Sequence, residues 1–256
     1  MYARVQGGPL RERAAVEITA RVRVVHPTPL KSPFAEGTET AKFSVKPREH
    51  RQFRTALDAS DLFTSKEAAT ITWSRDGAGG KLDVHMPVAA GMFDETCTFA
   101  GTPFRPASFE RTLKDVEKVL RHERADFASV IPKLPEATYP ETMLPFLLRG
   151  HPLDGERRSL YAWICDRFVA KVYYEVHKKR VDVRVPAGKF EATEVVMYPD
   201  INDWVHLGSI ITKMIKPFLP KYHMWYAQQP GRPHDLVRFE GSYGPPGAPE
   251  IVLERV

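Results

Sequence analysis

Nine histidines and two cysteines are the side chains of this 256-residue chain best suited to metal binding, proton transfer or nucleophilic attack. Their spacing decides which of those chemistries is open. No H-x-x-x-H pair and no C-x-x-C pair occurs, so a zinc site would have to be assembled from distant residues. His206, with Asp200 and Asp203 just upstream, comes nearest to a ligand or acid–base group, although an aspartate at a helix start has the simpler role of capping it. No glycine-flanked G-x-S-x-G elbow is present. Cys165, in Trp163-Ile-Cys-Asp-Arg167, is the thiol that stands out, and a small packed side chain is its simplest role. Cys97 and Cys165 have the number for one bridge, but two thiols in a chain of this size are more often unpaired. Gly77, Gly79 and Gly80 fall between two strand-like segments and not between a strand and a helix, so they form a hairpin turn and not a phosphate cradle. The expectation is a protein without catalytic residues, metal or cofactor, and not an enzyme.

The elements that would position any site are strands of one kind. Leu82, Val84, Met86 and Val88 alternate with polar or turn-forming neighbours, as do Val181, Val183 and Val185. The same period holds for Val16–Val24, Phe93–Phe99 and Phe168–Val176. A period of two buries one face, which is the signature of antiparallel sheets. Asp76–Gly80 and Val185–Lys189 read as hairpin turns, and Lys221–Gln229, Leu236–Ser242 and Glu250–Glu254 as later strands, giving about ten in a meander. Glu141–Gly150 reads as a short helix ending on the Arg149-Gly150 pair. Asp203–Phe218 reads as an amphipathic one, with Trp204, Leu207, Ile210, Ile211, Met214 and Phe218 spaced by three and four. Leu113–His122 fits either a helix or a hairpin.

Proline-rich stretches at 26–33 and 132–152 interrupt the pattern without separating independent domains. The expected layout is one β-rich domain over 1–256, with an arm at 1–34, a first strand set at 35–131, a connection with a short helix at 132–152, and a second strand set at 153–256 carrying the helix 203–218. Hydrophobic residues make up 43% of the chain and charged residues 27%, an ordinary globular composition with enough apolar side chains for a core. Thirty-seven Lys and Arg against thirty-two Asp and Glu give a net charge of +5. The basic residues are scattered, and Lys213 and Lys216 lie on the polar side of the expected helix, so no nucleic-acid footprint results. No window reaches the roughly 18 apolar residues of a membrane span. Residues 1–30 contain five arginines and no apolar signal core, so the expected compartment is the cytoplasm, or the periplasm if the true start lies upstream.

The second half carries a resemblance. Glu141-Thr-Met-Leu-Pro-Phe-Leu-Leu-Arg-Gly150, Val185-Pro-Ala-Gly-Lys-Phe190, Met224-Trp-Tyr226, Leu236-Val-Arg-Phe239 and Ile251-Val-Leu-Glu254 together resemble the bacterial domain of unknown function 3108 family, chiefly from Pro140 onward. That resemblance implies a curved antiparallel sheet or half-barrel with a helix near its concave side, similar to lipoprotein carriers, and usually an exported protein. It supplies no catalytic residues. Fold alone does not give function. The expected role is binding or carriage of an apolar or amphipathic ligand such as a lipid, with Trp163, Tyr174, Met197, Trp204, Met214, Phe218, Trp225 and Phe239 as cavity walls. The alternative is a structural or assembly component that docks a protein partner through a sheet edge or aromatic face. An enzyme built around Asp200, Asp203 and His206 is the third possibility.

Overall fold

The structure is a computed structural model that describes residues 25–48, 67–88, 91–101, 104–115, 118–127, 129, 134–165, 168–200, 221–243 and 250–256. The expected strand Val16–Val24, the helix Asp203–Phe218, His206 and the proline-rich link 244–249 lie outside these residues.

Alternating side chains build the molecule strand by strand. In chain order they are β1 (Thr38–Pro47), β2 (Ala69–Asp76), β3 (Gly79–Val88), β4 (Gly91–Ala100), β5 (Arg105–Asp115), β6 (Lys118–Asp126), β7 (Thr138–Pro140), β8 (Arg157–Cys165), β9 (Phe168–Val185), β10 (Gly188–Pro199), β11 (Tyr222–Ala227), β12 (Asp235–Ser242) and β13 (Glu250–Arg255). All thirteen join one open sheet in the order β6-β5-β4-β3-β2-β1-β13-β12-β11-β10-β9-β8-β7. The ladders are antiparallel except for the short β7–β8 pair. The ambiguous segment Leu113–His122 is a hairpin, with β5 returning as β6. Asp76–Gly80 and Val185–Lys189 are hairpin turns as expected.

The topology is a meander cut at one point. Among the described residues the path begins mid-sheet at β1, walks outward to the edge at β6, crosses to the opposite edge at β7, and walks back until β13 pairs with β1. The two ends then meet across the hollow. β7 lies against β5, and Phe109 on β5 and Phe127 after β6 each pack edge-on to Trp163 of β8 with ring centroids 5.4 Å apart. No ladder joins β6 to β7, so the sheet curls without closing.

The inner face carries the main core, a continuous cluster from Phe43, Ile71 and Leu82 through Phe109 to Leu160, Tyr174, Met197, Phe239 and Leu253. Inside the curl sits a short plug, the 3-10 turn Glu141–Met143, the helix α1 (Leu144–Leu147) and the 3-10 turn Leu148–Gly150. Its residues 142–149 are all buried. It is anchored on several strands at once, since Trp73 Nε1 of β2 donates to the Phe146 carbonyl at 3.2 Å and Tyr226 Oη of β11 donates to the Pro145 carbonyl at 2.5 Å. Outside, a smaller apolar cluster of Val183, Ala192 and Val237, with Trp225 beside it, lies on the opposite face of the sheet. Pro27 bridges to Ser159, and the Leu30 N–H donates to Tyr139 Oη at 2.8 Å, so the segment around Pro27–Leu30 packs along β8 and β7. Among the described residues no helix is long and apolar enough to cross a membrane.

Candidate functional site

The chemistry-bearing side chains that the fold gathers are those that fasten the plug to the inner face. Three strands present charges in register: Glu95 on β4 stands opposite Arg111 on β5, and Arg111 opposite Glu123 on β6. Inward positions in a sheet are normally apolar, so each of these charges needs a partner. Arg111 Nε donates to Glu95 Oε1 at 2.6 Å, Arg111 Nη2 to Thr142 Oγ1 at 2.8 Å, and Thr142 Oγ1 to the same Glu95 oxygen at 2.8 Å. Tyr243 Oη donates to Glu95 Oε2 at 2.5 Å. The guanidinium also lies over Phe93 and Phe109, 5.3 and 5.0 Å from the ring centroids.

The side chains of Arg111 and Glu95 are 5% and 0% exposed. Burial works against the Arg111 charge, but Glu95, with Tyr243 and Glu123, more than offsets it and the pKa stays above its ordinary value. Tyr243 is held protonated far above the usual phenol range by burial and by the Glu95 carboxylate. Both Glu95 oxygens are thus engaged, and the group acts as a clamp. Removing one partner of such a pair typically costs about 3–5 kcal/mol, because the other charge stays buried and alone. Next to it, Glu141 accepts from Tyr222 Oη at 2.6 Å, and its pKa is raised, mainly by burial.

A second cluster holds the far end of the plug. Arg149, in the last turn as expected from the sequence, is only 2% exposed. Its Nη2 donates to both oxygens of Glu39 on β1 at 2.9 Å, its Nε donates to the His234 carbonyl at 2.9 Å, and its guanidinium lies 4.3 Å from the Trp73 ring centroid. His151, just past the plug, shares a 2.9 Å hydrogen bond with Tyr174 Oη. Burial, aided by Arg158, lowers the His151 pKa to about 4, so its imidazole is neutral at pH 7.

Of the expected cavity walls, Trp163, Tyr174, Met197 and Phe239 are buried on the inner face, and Met197 stands directly opposite Tyr174 in the β9–β10 ladder. Trp163 lies at the seam between the sheet ends. Trp225 belongs to the other face, stacked on His223 at 5.9 Å with Arg238 5.6 Å from its ring. Trp204, Met214 and Phe218 lie outside the described residues. A recess of about 100 Å³ opens between Arg105, Phe127 and the segment Leu134–Thr138. Cys97 is buried with its thiol pKa well above ordinary, chiefly through burial, while Cys165 is exposed, and the two are not bridged. Among the described residues no group of three His, Cys, Asp or Glu side chains is placed to hold a metal ion.

The residues that sequence reading missed are Glu95, Arg111 and Glu39. A signal was present in the first two: Glu95 has the parity of Phe93, Cys97 and Phe99, and Arg111 that of Phe109 and Leu113, so each charge falls on an inward position.

No family model matches the chain, and no curated protein matches it. Among solved structures, the chain is similar to a protein of Bacteroides fragilis with a YmcC-like fold, at 13% sequence identity and a TM-score of 0.29, over 89% of this chain and 98% of that one.

Proposed function

We propose that this chain works by binding and not by catalysis, as a structural module that docks a polypeptide on the open edge of its sheet. The observation that supports this reading is the contrast between interior and edge. The buried plug occupies the hollow of the sheet, and the ionisable groups around it are spent on fastening it. The edge strand β6 is exposed over Lys118–His122. Unpaired edge strands are templates for a further strand. Carriage of an apolar ligand is the second reading, favoured by the aromatic and Met residues on the inner face and opposed by the plug seated among them. A ligand pocket for a lipid-sized molecule spans roughly 300–1,000 Å³, well beyond the recess at the seam.

Native mass spectrometry of protein purified from a bacterial host, followed by organic extraction, separates the two. The docking reading expects polypeptide masses without a stoichiometric apolar adduct, also after incubation with lipid vesicles. A lipid bound one to one would overturn it in favour of carriage.

A further inference from the structure

Residues 25–34 of the arm lie on the rest of the molecule as a peptide ligand lies in its groove. We infer that this groove is a docking site for an extended, proline-containing segment of another protein, occupied in this structure by the chain's own segment of that kind. This deepens the docking reading above and rests on it, adding a polypeptide site at the β8 end of the sheet.

The segment His26-Pro-Thr-Pro-Leu-Lys-Ser-Pro-Phe34 is extended by its own sequence. Proline holds φ at about −65° and biases the residue before it away from the helix, which covers Pro27, Pro29, Pro33 and also His26, Thr28 and Ser32. A chain so restricted has little conformational entropy left to lose on docking. Its prolines offer no N–H to a ladder, and the bridge from Pro27 to Ser159 is an isolated one.

The groove crosses from one half of the sheet to the other. Ser159 lies on β8 just before the stretch that pairs with β7 and is fully buried. Its carbonyl accepts from the Thr28 N–H at 2.9 Å, and its hydroxyl donates to the Val25 carbonyl at 3.0 Å. On β7 the Tyr139 hydroxyl donates to the Phe104 carbonyl at 3.0 Å, which orients it to accept from the Leu30 N–H at 2.8 Å. Bonds of this kind read main chain and tolerate many sequences. Two side chains then supply selectivity. Leu30 and Phe34 are 3% and 4% exposed, whereas His26, Thr28, Lys31 and Ser32 face solvent. Phe34 enters a pocket walled by Phe99 and Phe104, with ring centroids 5.7 and 5.8 Å away, and floored by Gly80, where a Cβ would stand 2.4 Å from the ring. Gly150 of the plug leaves room in the same way for the backbone of Lys31 and Ser32. The matching ligand has an aliphatic residue four positions ahead of an aromatic one, with proline directly before the aromatic. Main-chain hydrogen bonds and side-chain anchors in an aromatic-lined groove are the usual means of binding such a segment.

The chain's own segment has the advantage of its tether. Ala35-Glu36-Gly37 joins it to β1, so it meets the groove at an effective concentration in the millimolar range, and a partner has to outbind it. The arm is in this sense an autoinhibitory contact that sets a threshold for docking.

Fluorescence anisotropy on the full chain, with a labelled peptide of residues 25–35, tests the inference. The paired substitution Leu30→Ser and Phe34→Ser removes the tethered anchors and leaves the groove intact, so it should raise the affinity for the peptide by at least about tenfold over wild type. Adding Gly150→Ala, which narrows the groove itself, should abolish that gain. The wild type gives a reading that needs no variant: peptide in millimolar excess should speed hydrogen exchange at the Thr28 and Leu30 amides and leave β3 and β9 protected. A folded paired variant that takes up the peptide no better than a scrambled one would overturn the inference and make the arm an ordinary part of the core. Exchange at Thr28 and Leu30 that ignores the peptide would do the same. A wild-type dimer that the peptide dissolves would overturn it in another way, since the occupant would then be the arm of a second copy. These failures leave the docking reading at β6 standing, whereas a stoichiometric lipid would remove that reading itself.

Discussion

His151 shows what a buried titratable group costs and gives. Its imidazole is neutral in the fold because burial, with Arg158 nearby, depresses the pKa from 6.5 to about 4. His234 is shifted in the same direction, again mainly by burial. A depressed folded-state pKa means that the unfolded chain takes up a proton first as the pH falls. The stability held by the neutral ring is therefore complete above about pH 6.5 and drains away down to about pH 4, by up to roughly 3 kcal/mol for His151. Glu141, with its pKa raised, contributes in the opposite sense and gains as the pH falls. Urea midpoints measured at pH 7 and pH 4.5 should show a clear acid loss in the wild type and a distinctly smaller one in His151→Gln, which keeps a hydrogen-bond partner for Tyr174. Equal acid losses in the two proteins would show that His151 titrates normally in the fold.

Between elements, the arm and the plug approach one another backbone to backbone. A Cβ on Gly150 would come within 2.5 Å of the Ser32 carbonyl oxygen and 2.7 Å of that of Lys31, both of them backbone atoms that cannot swing aside. Gly150→Ala should therefore push the 25–34 segment away from β7 and β8 at a cost of about 1–3 kcal/mol. Limited proteolysis should detect this as faster cleavage within 25–34, with the strands themselves still protected. Sequence reading reached this glycine only as a helix terminator, because the close approach joins residues more than a hundred positions apart. The strands were far more legible. Their period of two is local, and Asp76–Gly80 and Val185–Lys189 carry their own turn chemistry. Leu113–His122 stayed ambiguous because Arg111 stands where an apolar residue would have extended the alternation from Phe109 to Leu113. The buried site was hidden for the same reason. Glu95 and Arg111 look like solvent-facing residues until their parity is set against that of their neighbours, and nothing local says that Thr142 and Tyr243 will be their partners.

On the scale of the whole molecule, the two halves of the sheet are joined where β1 meets β13, with Val45 opposite Leu253 and Phe43 opposite Arg255. The core passes through this junction, since Phe43, Val45, Ile251 and Leu253 belong to the same buried cluster as Leu82 on one side and Met197 on the other. A core that runs unbroken through the junction predicts unfolding as one unit. Leu253→Ala, which empties space at the junction, should lose about 2–5 kcal/mol. Native-state hydrogen exchange should register that loss equally in β3–β4 and in β9–β10. Retained protection in either half would show that the halves are separately cooperative.

The same junction bears on how the polypeptide is made. β1 leaves the ribosome roughly 200 residues before β13, and at elongation rates of about 5–20 residues per second that interval lasts on the order of 10–40 s. Through it the first half waits with the β1 flank open, unable to complete its pairing until Glu250–Arg255 has been synthesised. A nascent chain halted before Glu250–Arg255 would leave β1 without its β13 neighbour, so synthesis of that one strand is the step that covers the open flank and with it a route to aggregation.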